Sequence, residues 1–207
     1  MTTNPIRAKL ILSYDRQAEQ RNQSDIEDWK AIERAEFLEL LKSEQKQSLL
    51  EIGAGHGRDS QFFQENGLQV TCIDLSPEMV RLCRQKGLDA RLMDMIDLDF
   101  PDHSFDAVYS LNSLLHLPKN ELPTVLQNIR RVLNSNGLFF LGIYGGYDFE
   151  GFWEKDSYEP KRFFSFHSDE KLKQVVTETF TLLSFKQIKS RDGELHFQSL
   201  ILRKLTT

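Results

Sequence analysis

The chain of 207 residues contains no apolar run long enough to cross a bilayer, since a spanning helix needs about 20 apolar residues. Its amino end offers only the apolar stretch Leu10 to Leu12, which is shorter than the apolar core of about 7–15 residues in a secretory signal. Internal repeats, low-complexity tracts and interdomain linkers are also missing. These absences predict a cytoplasmic protein without membrane attachment.

Cysteine is scarce, because Cys72 and Cys83 are the only two in the chain. Neither has a His or another Cys nearby at metal-ligand spacing. We therefore predict two small buried thiols in a reducing compartment and no metal site.

Positive charge is not in excess, since the net charge is −5. A nucleic-acid surface needs clustered Lys and Arg to neutralise phosphates. This balance disfavours nucleic acid as a partner and favours a small molecule. The sequence gives no indication of oligomeric state.

Short apolar runs alternate with amphipathic stretches along the chain, which is typical of β-α units stacked into a mostly parallel sheet. Two runs near the end, 181–188 and 195–203, are separated by the polar turn Ser190 to Gly193 and must pair antiparallel. The five earlier strands are predicted at Ser48 to Ile52, Val70 to Asp74, Ala90 to Met93, Phe105 to Ser110 and Leu138 to Ile143.

Capping residues mark the helices between these strands. Ser24 and Glu27 have the spacing of a capping box, which predicts a helix that begins there and ends near Lys42. Later helices are predicted to begin at the N-caps Ser76, Asn120 and Ser168, and helical units to end at Gly67, Gly87 and Gly137.

The most informative segment is LLEIGAGHGRD, Leu49 to Asp59, where an apolar strand breaks into a glycine-rich turn that opens a helix. Glycines allow a tight turn and close approach of a ligand, and a helix amino end presents free N–H groups. The next strand ends at Asp74, whose carboxylate could accept hydrogen bonds from both hydroxyls of a ribose. These features predict an adenosine ligand, bound by either a nicotinamide dehydrogenase or an enzyme that uses S-adenosylmethionine (SAM).

Three features favour SAM over a dinucleotide. Arg58 stands where the fingerprint G-x-G-x-x-G has its last glycine. Glu51, just before the turn, would repel a pyrophosphate and would attract the ammonium group of a methionine moiety. Asp94, at the end of the third strand, could accept the adenine amino group, although an acidic residue there could also cap the following helix.

Four successive segments resemble the motifs of class I SAM-dependent methyltransferases: LLEIGAGHGRD, VTCIDLSPEMV, ARLMDMIDLDFPDHSFDAVYS and IRRVLNSNGLFFLGIYG. The resemblance covers about residues 46–144 and is specific as a set. It implies an α/β, Rossmann-like three-layer sandwich whose seven-stranded, mostly parallel sheet has the order 3-2-1-4-5-7-6 with strand 7 antiparallel. It also implies one domain over 1–207, with a helical cap at 1–45 and the α/β core at 46–207. SAM would be the cofactor and methyl transfer the activity; a SAM-binding regulatory or partner subunit without catalysis is the alternative.

Carried over position by position, the resemblance implies a cofactor site. Gly53, Ala54 and Gly55 would cradle the methionine part, and Glu51 would orient its amino group. His56 departs from the small residue usual between the glycines and is expected to contribute only its backbone, with its side chain outward. The remaining implied contacts are Asp74 with the ribose, Leu75, Asp94 and Met95 with adenine, and Leu111 and Asn112 near the sulfonium.

The acceptor is expected beside the carboxyl ends of strands four and five. His116 could act there as a general base, but we weight a hydrogen bond to loop backbone above that role. The aromatic segment 147–167 would either form the acceptor pocket, where Arg162 would suit an anionic acceptor, or only cover the sheet edge. Tyr14 and Trp29 would close over the cofactor as a lid. The predicted acceptor-binding residues are Tyr14, His116, Tyr144, Trp153 and Arg162.

Overall fold

The computed structural model describes residues 4–189 and 195–204. Two helices, α1 (Pro5–Asn22) and α2 (Asp28–Ser43), precede the first strand. The later helices are α3 (Arg58–Glu65), α4 (Pro77–Gln85), α5 (Leu122–Val132) and α6 (Asp169–Thr177), and a short 3-10 helix spans Leu114–His116. Within the described ranges, no helix has the length and hydropathy that crossing a bilayer requires.

Seven strands form one sheet, and two more form a separate hairpin. In the sheet the order is β3-β2-β1-β4-β5-β9-β8, and β9 runs antiparallel to both neighbours. Counted within the sheet alone, this is the predicted order 3-2-1-4-5-7-6 with the last strand antiparallel, so the predicted fold is confirmed. The strands are β1 (Ser48–Ile52), β2 (Gln69–Asp74), β3 (Asp89–Leu92), β4 (Phe105–Leu111), β5 (Leu133–Gly145), β6 (Phe149–Phe152), β7 (Phe163–Phe166), β8 (Phe180–Lys189) and β9 (His196–Lys204).

Both faces of the sheet are buried, because alternate residues of one strand point to opposite faces. On β1, Leu50 packs into the cluster that contains Ile129 of α5. Its neighbour Leu49 packs into a second cluster with Phe37 of α2 and Phe63 of α3. Burying a side chain of this kind stabilises the fold by roughly 1.5–3 kcal/mol. Helices on both faces therefore hold the carboxyl ends of the strands in fixed positions.

Two predicted helix starts are wrong. The capping box of Ser24 and Glu27 does not form: α2 begins at Asp28, and the Ser24 hydroxyl instead donates to the Arg21 carbonyl at 2.8 Å at the end of α1. Arg58 also donates to Ser24, which fixes it in this role. Asn120 is not a cap either, since α5 begins at Leu122 with Glu121 in the N-cap position.

The other caps are correct with one exception. Ser76 accepts from the amide of Met79 and Ser168 from that of Lys171. Gly67 and Gly87 follow their helices in the left-handed region, at φ 94° and 77°. Gly137 does not end a unit, because β5 already begins at Leu133 and Gly137 lies inside it.

Near the end of the chain, β8 and β9 pair antiparallel as predicted, with Phe185 opposite Leu200. The predicted turn Ser190 to Gly193 between them lies outside the described residues. Cys72 and Cys83 are free and buried, as predicted. The hairpin of β6 and β7 and the whole of α1 were not predicted.

Candidate active site

A cavity of about 890 Å³ lies at the carboxyl ends of the central strands, under α1. A smaller cavity of about 30 Å³ adjoins it and shares Asp74, Leu75 and Met95 in its wall. The large cavity brings together every predicted site residue except Asp94, which lines the small one. These residues come from α1, the carboxyl ends of β1 to β5, the short 3-10 helix and the connection between β6 and β7.

Two glycines of the turn after β1 are needed for different reasons. Gly53 and Gly55 both have positive φ, 74° and 56°. A Cβ on Gly53 would lie 2.0 Å from the Ser113 hydroxyl oxygen, so this glycine lets two protein segments touch. A Cβ on Gly55 would meet no atom within 4 Å. Gly55 therefore faces open space along the cavity wall, where a ligand can approach its backbone.

Asp74 holds this turn in place. One carboxylate oxygen accepts from the Gly55 amide at 2.8 Å and the other from the Ser76 amide at 2.9 Å. Burial raises the pKa of Asp74 to about 6, although both hydrogen bonds act against the shift. Each oxygen still has a lone pair that can accept from a ligand hydroxyl.

Glu51 is a buried carboxyl group without a positive partner of its own among the ion pairs of the described residues. Its side chain accepts a hydrogen bond from the Ser60 hydroxyl. Burial raises its pKa well above the usual range, and the neighbouring charge of Asp59 adds to the shift. Asp59 is itself paired with Arg34 at 2.6 Å. A cationic group in the cavity would favour the ionised form of Glu51.

Asp94 is engaged on both oxygens. One accepts from the Ile96 amide at 3.1 Å within a turn, since β4 and not a helix is the next element after β3, and the other accepts from Arg7 of α1. Arg7 also bonds Glu121 at 2.8 Å, so α1 is tied to both sides of the small cavity. A contact between Asp94 and adenine stays a prediction.

Asn112 stands at the end of β4 with a positive φ of 54°. Its amide donates to the Gly142 carbonyl at 2.7 Å, which fixes the backbone. Its buried side-chain oxygen has no hydrogen-bond donor among the described residues. An unsatisfied buried acceptor costs about 1–3 kcal/mol, so this oxygen is suited to a donor supplied by a ligand. Leu111 lies beside it in the cavity wall.

The expectation that His56 points outward is wrong. The residue is 7% exposed, and Lys86 donates to its Nδ1 at 3.1 Å and to its carbonyl at 2.7 Å. Burial, together with the positive charges of Lys86, Arg58 and Arg21, lowers the pKa of His56 to about 4. The contacts with Lys86, just after α4, thus hold the imidazole of His56 inside the protein.

His116 is held by two hydrogen bonds. Its Nδ1 lies 2.7 Å from the Phe163 carbonyl, which can only accept, so Nδ1 carries the proton and Nε2 accepts from the Tyr14 hydroxyl at 2.6 Å. Burial lowers the pKa of His116 to about 3, and the charge of Arg162 adds to the effect. This geometry matches the backbone-bonding role and leaves no free lone pair on the ring for a base.

Arg162 is neutralised by a buried carboxylate. Its guanidinium makes two bonds to Asp156, at 2.7 and 3.0 Å, and a third to the Tyr14 hydroxyl at 3.1 Å. It also stacks on Tyr158, 3.7 Å from the ring centre. The expected free cation for an anionic acceptor is therefore not present at this position.

The aromatic segment lines the cavity and does more than cover the sheet edge. Trp153 packs edge-on against Phe164 and Phe166 of β7, with ring centres 5.5 and 5.7 Å apart, and all three line the cavity. Tyr144 also lines the cavity. Trp29 packs on Phe197 at 4.5 Å, so its contact is with the sheet.

Sequence reasoning missed Arg21, because it missed the helix that carries it. Arg21 lies in the last turn of α1 and lines the large cavity. A signal for this helix was available: Asn4 precedes Pro5, and the Asn4 side chain accepts from the Ile6 amide at 2.9 Å. Asn at the N-cap followed by Pro at the first helical position is typical of a helix start.

The profile of a protein family described as a methyltransferase domain matches residues 50–141. This span runs from β1 into β5 and contains the glycine turn, Asp74 and Asp94. Over this span the chain is similar to methyltransferases. The large cavity is lined by residues of the same span, among them the glycine turn, Asp74 and Met95.

The curated relatives that the chain matches are longer proteins. It is 24% identical to phosphoethanolamine N-methyltransferase 1 of Zea mays over 177 residues, which are 82% of this chain and 34% of the maize protein. It is 37% identical to ubiquinone biosynthesis O-methyltransferase of Xanthomonas oryzae pv. oryzae over 101 residues, 45% of this chain and 41% of that protein. The chain thus spans about a third to two fifths of the length of these relatives.

Solved structures share its fold. The 1,6-didemethyltoxoflavin-N1-methyltransferase of Burkholderia thailandensis, with bound 1,6-didemethyltoxoflavin and S-adenosylhomocysteine, has a TM-score of 0.73 at 21% identity and covers 96% of this chain and 88% of its own. The cyclase SpnF has a TM-score of 0.75 at 17% identity and covers 98% of each chain. Since one of these is a methyltransferase and the other a cyclase, the fold does not by itself determine the reaction.

Proposed function

We propose that this chain binds SAM in the large cavity and transfers its methyl group to a small molecule. The observation that carries the proposal is the open face of Gly55 beside the carboxyl group of Asp74. A backbone that a ligand can approach closely and an acidic strand end are what an adenosine ligand requires. The buried Glu51 adds a site for a positively charged amino group.

The positions of the cavity residues support a specific contact for each part of SAM. Gly53 to Gly55 and Glu51 would hold the methionine part, Asp74 the ribose, Leu75, Asp94 and Met95 the adenine, and Leu111 and Asn112 the region of the sulfonium. When bound, SAM supplies an electrophilic methyl group on a positively charged sulfur. The chain's own part is to align an acceptor with that methyl group and to exclude water, which is where most of such an acceleration comes from.

The side of the cavity formed by Trp153, Tyr144 and Tyr14, called the acceptor wall below, is suited to a small, partly apolar molecule. A cavity of about 890 Å³ lies near the upper end of the range of about 300–1,000 Å³ for ligand pockets, which leaves room for a second ligand beside the donor. Trp153, Tyr144 and Tyr14 offer apolar surface, and the free cation that an anionic acceptor would need at Arg162 is paired with Asp156. We propose that His116 orients Tyr14, and that it is not itself the base.

Two further observations support the proposed domain arrangement and the proposed cellular location. Tyr14 of α1 lines one cavity with residues of the sheet, which supports residues 1–45 as a helical cap on the α/β core at 46–207. The free thiols of Cys72 and Cys83 support action in a reducing compartment such as the cytoplasm.

Calorimetric titration with SAM, S-adenosylhomocysteine and NADH tests donor binding. We expect micromolar affinity for the first two and none for NADH. Incubation with labelled SAM and a metabolite extract then identifies the acceptor. Binding of SAM without any labelled product across extracts would favour the alternative, a regulatory or partner subunit that binds SAM without catalysis. Absence of SAM binding would refute both.

A further inference from the structure

Arg21 projects from the last turn of α1 into the large cavity, between the glycine turn and the acceptor wall. Its Nη1 donates to the Tyr158 hydroxyl at 3.0 Å, and its guanidinium lies 5.4 Å from the centre of the Tyr14 ring. Its buried Nε has no acceptor within hydrogen-bond distance among the described residues. A buried guanidinium N–H without an acceptor is costly, so this group is suited to an acceptor supplied by a ligand.

Two other basic side chains in the same wall have carboxylate partners, and a third, Arg58, bonds the Ser24 carbonyl. Arg162 is paired with Asp156 at 2.7 Å, and Lys30 with Glu27 at 2.6 Å. The ion pairs of the described residues include none for Arg21, whose contact is with a neutral phenol. Arg21 therefore brings uncompensated positive charge into the cavity.

This charge reaches the glycine turn. The pKa of His56, the residue after Gly55, is lowered to about 4 by burial and then by Lys86, Arg58 and Arg21. Arg21 also acts on Asp74, where its charge favours the ionised carboxylate. Three cations around one turn create a positive potential that attracts an anionic group.

The course of α1 places Arg21 at one particular end of the cavity. At its start, Arg7 bonds Asp94 beside the small cavity. Arg21 is fourteen residues further along, which is about 21 Å of helix axis. Just beyond it, Ser24 is bonded by Arg58 at the start of α3, next to the glycine turn. α1 thus runs alongside the cavity from the Asp94 end to the turn end, and Arg21 lies at the turn end.

We propose that Arg21 binds the α-carboxylate of the methyl donor, an inference that rests on the proposed function. The amino-acid end of SAM would lie along the glycine turn, and its carboxylate is the anionic group of that ligand. Two N–H groups of a guanidinium match a carboxylate in a planar, two-point contact. Through Tyr158 the same guanidinium also contacts the aromatic segment, so donor binding would brace one edge of the acceptor wall.

The test compares two ligands that differ only in the carboxylate. S-adenosylhomocysteine and its decarboxylated analogue, which keeps the amine, are titrated calorimetrically into wild-type protein and into Arg21→Ala and Arg21→Lys. Arg21→Ala should weaken S-adenosylhomocysteine by about tenfold to a hundredfold and change the analogue by no more than about twofold. Arg21→Lys should lose less, because it keeps the charge.

Arg16→Ala is the matched control, since Arg16 is also on α1 and its bond to the Glu159 carbonyl is exposed. It should leave both affinities unchanged. Equal weakening of both ligands by Arg21→Ala would overturn the carboxylate assignment and make Arg21 a support for α1. Unchanged donor affinity with slower methyl transfer would assign the carboxylate to the acceptor instead. Wild-type protein that binds neither ligand would refute the proposed function itself.

Discussion

Asp74 and Gly55 are joined by a hydrogen bond of 2.8 Å from the glycine amide to the carboxylate. The acid that would hold the ribose therefore also fixes the turn that would hold the methionine part. The two halves of the donor site are thus one structural unit. A change in the charge of Asp74 affects both the ribose position and the glycine turn.

Donor affinity should depend on pH through Asp74. Its pKa in the empty site is raised to about 6 by burial, and ribose hydroxyls bind best to the ionised form. Because Glu51 also changes protonation on binding, the effect of Asp74 is measured as the ratio of wild-type to Asp74→Asn affinity for S-adenosylhomocysteine. This ratio should be constant above the pKa of Asp74 and fall as pH drops through it, by about tenfold from pH 7 to pH 5. Asp74→Asn should bind weakly. A ratio that is flat down to pH 5 would remove Asp74 from the site.

Binding should also release a proton from Glu51. Burial and Asp59 raise its pKa well above the usual range, and a bound ammonium group would lower it. Calorimetry above the pKa of Asp74, in buffers of different ionisation enthalpy, should show proton release in wild-type protein and none in Glu51→Gln. The control Glu65→Gln, an exposed site on α3, should behave as wild type. Equal release from Glu51→Gln would contradict the assignment.

The two glycines should respond differently to alanine. Gly55→Ala places a methyl group in open space, so it costs only the left-handed conformation, about 1–2 kcal/mol of unfolding free energy. It should fold and lose donor affinity. Gly53→Ala adds a clash with Ser113, about 1–3 kcal/mol more. Urea unfolding and donor titration measure both effects, and equal stability of the two variants would contradict this explanation.

The sheet could be predicted from sequence because its signals are local. Strands β1, β2, β4 and β5 contain short apolar runs, and glycines or N-caps such as Ser76 mark the adjoining helix ends. The apolar pattern does not reveal helix α1, since it buries little more than Leu10, Ser13 and Ala18, and its only local signal is Asn4 before Pro5. Contacts with distant residues hold it, such as Ser13 with the Pro160 carbonyl, and local periodicity does not show these.

Charges in the site were harder to predict than positions. The sequence places Arg162 in an aromatic segment and suggests a free cation. Only the folded chain brings Asp156 onto it with two hydrogen bonds. The sequence likewise does not show what surrounds the imidazole of His116. Burial and the hydrogen bonds to the Phe163 carbonyl and Tyr14 prevent this residue from acting as a base.

Arg162→Ala should therefore be a stability defect before it is a binding defect. Asp156 has a side chain only 1% exposed, and loss of its partner leaves a buried charge, which costs about 3–5 kcal/mol of unfolding free energy. The double variant Arg162→Ala with Asp156→Ala should recover part of this loss, because no buried charge remains. Urea unfolding measures the coupling, and equal stability of single and double variants would show that the pair is not coupled.

The acceptor wall is better tested at Trp153, whose ring lines the cavity without any ion pair. Trp153→Ala removes apolar contact area worth about 1.5–3 kcal/mol, so kcat/KM for the acceptor identified with labelled SAM should fall about tenfold to a hundredfold. Affinity for S-adenosylhomocysteine should stay at the wild-type value, since the predicted donor contacts lie on the strand ends.

Tyr147→Ala is the matched control, because this aromatic belongs to the same segment and is 39% exposed. It should leave both quantities unchanged. If Trp153→Ala loses donor binding, the hairpin supports the whole cavity. If it keeps full activity, the acceptor contacts lie at Tyr144 and Tyr14.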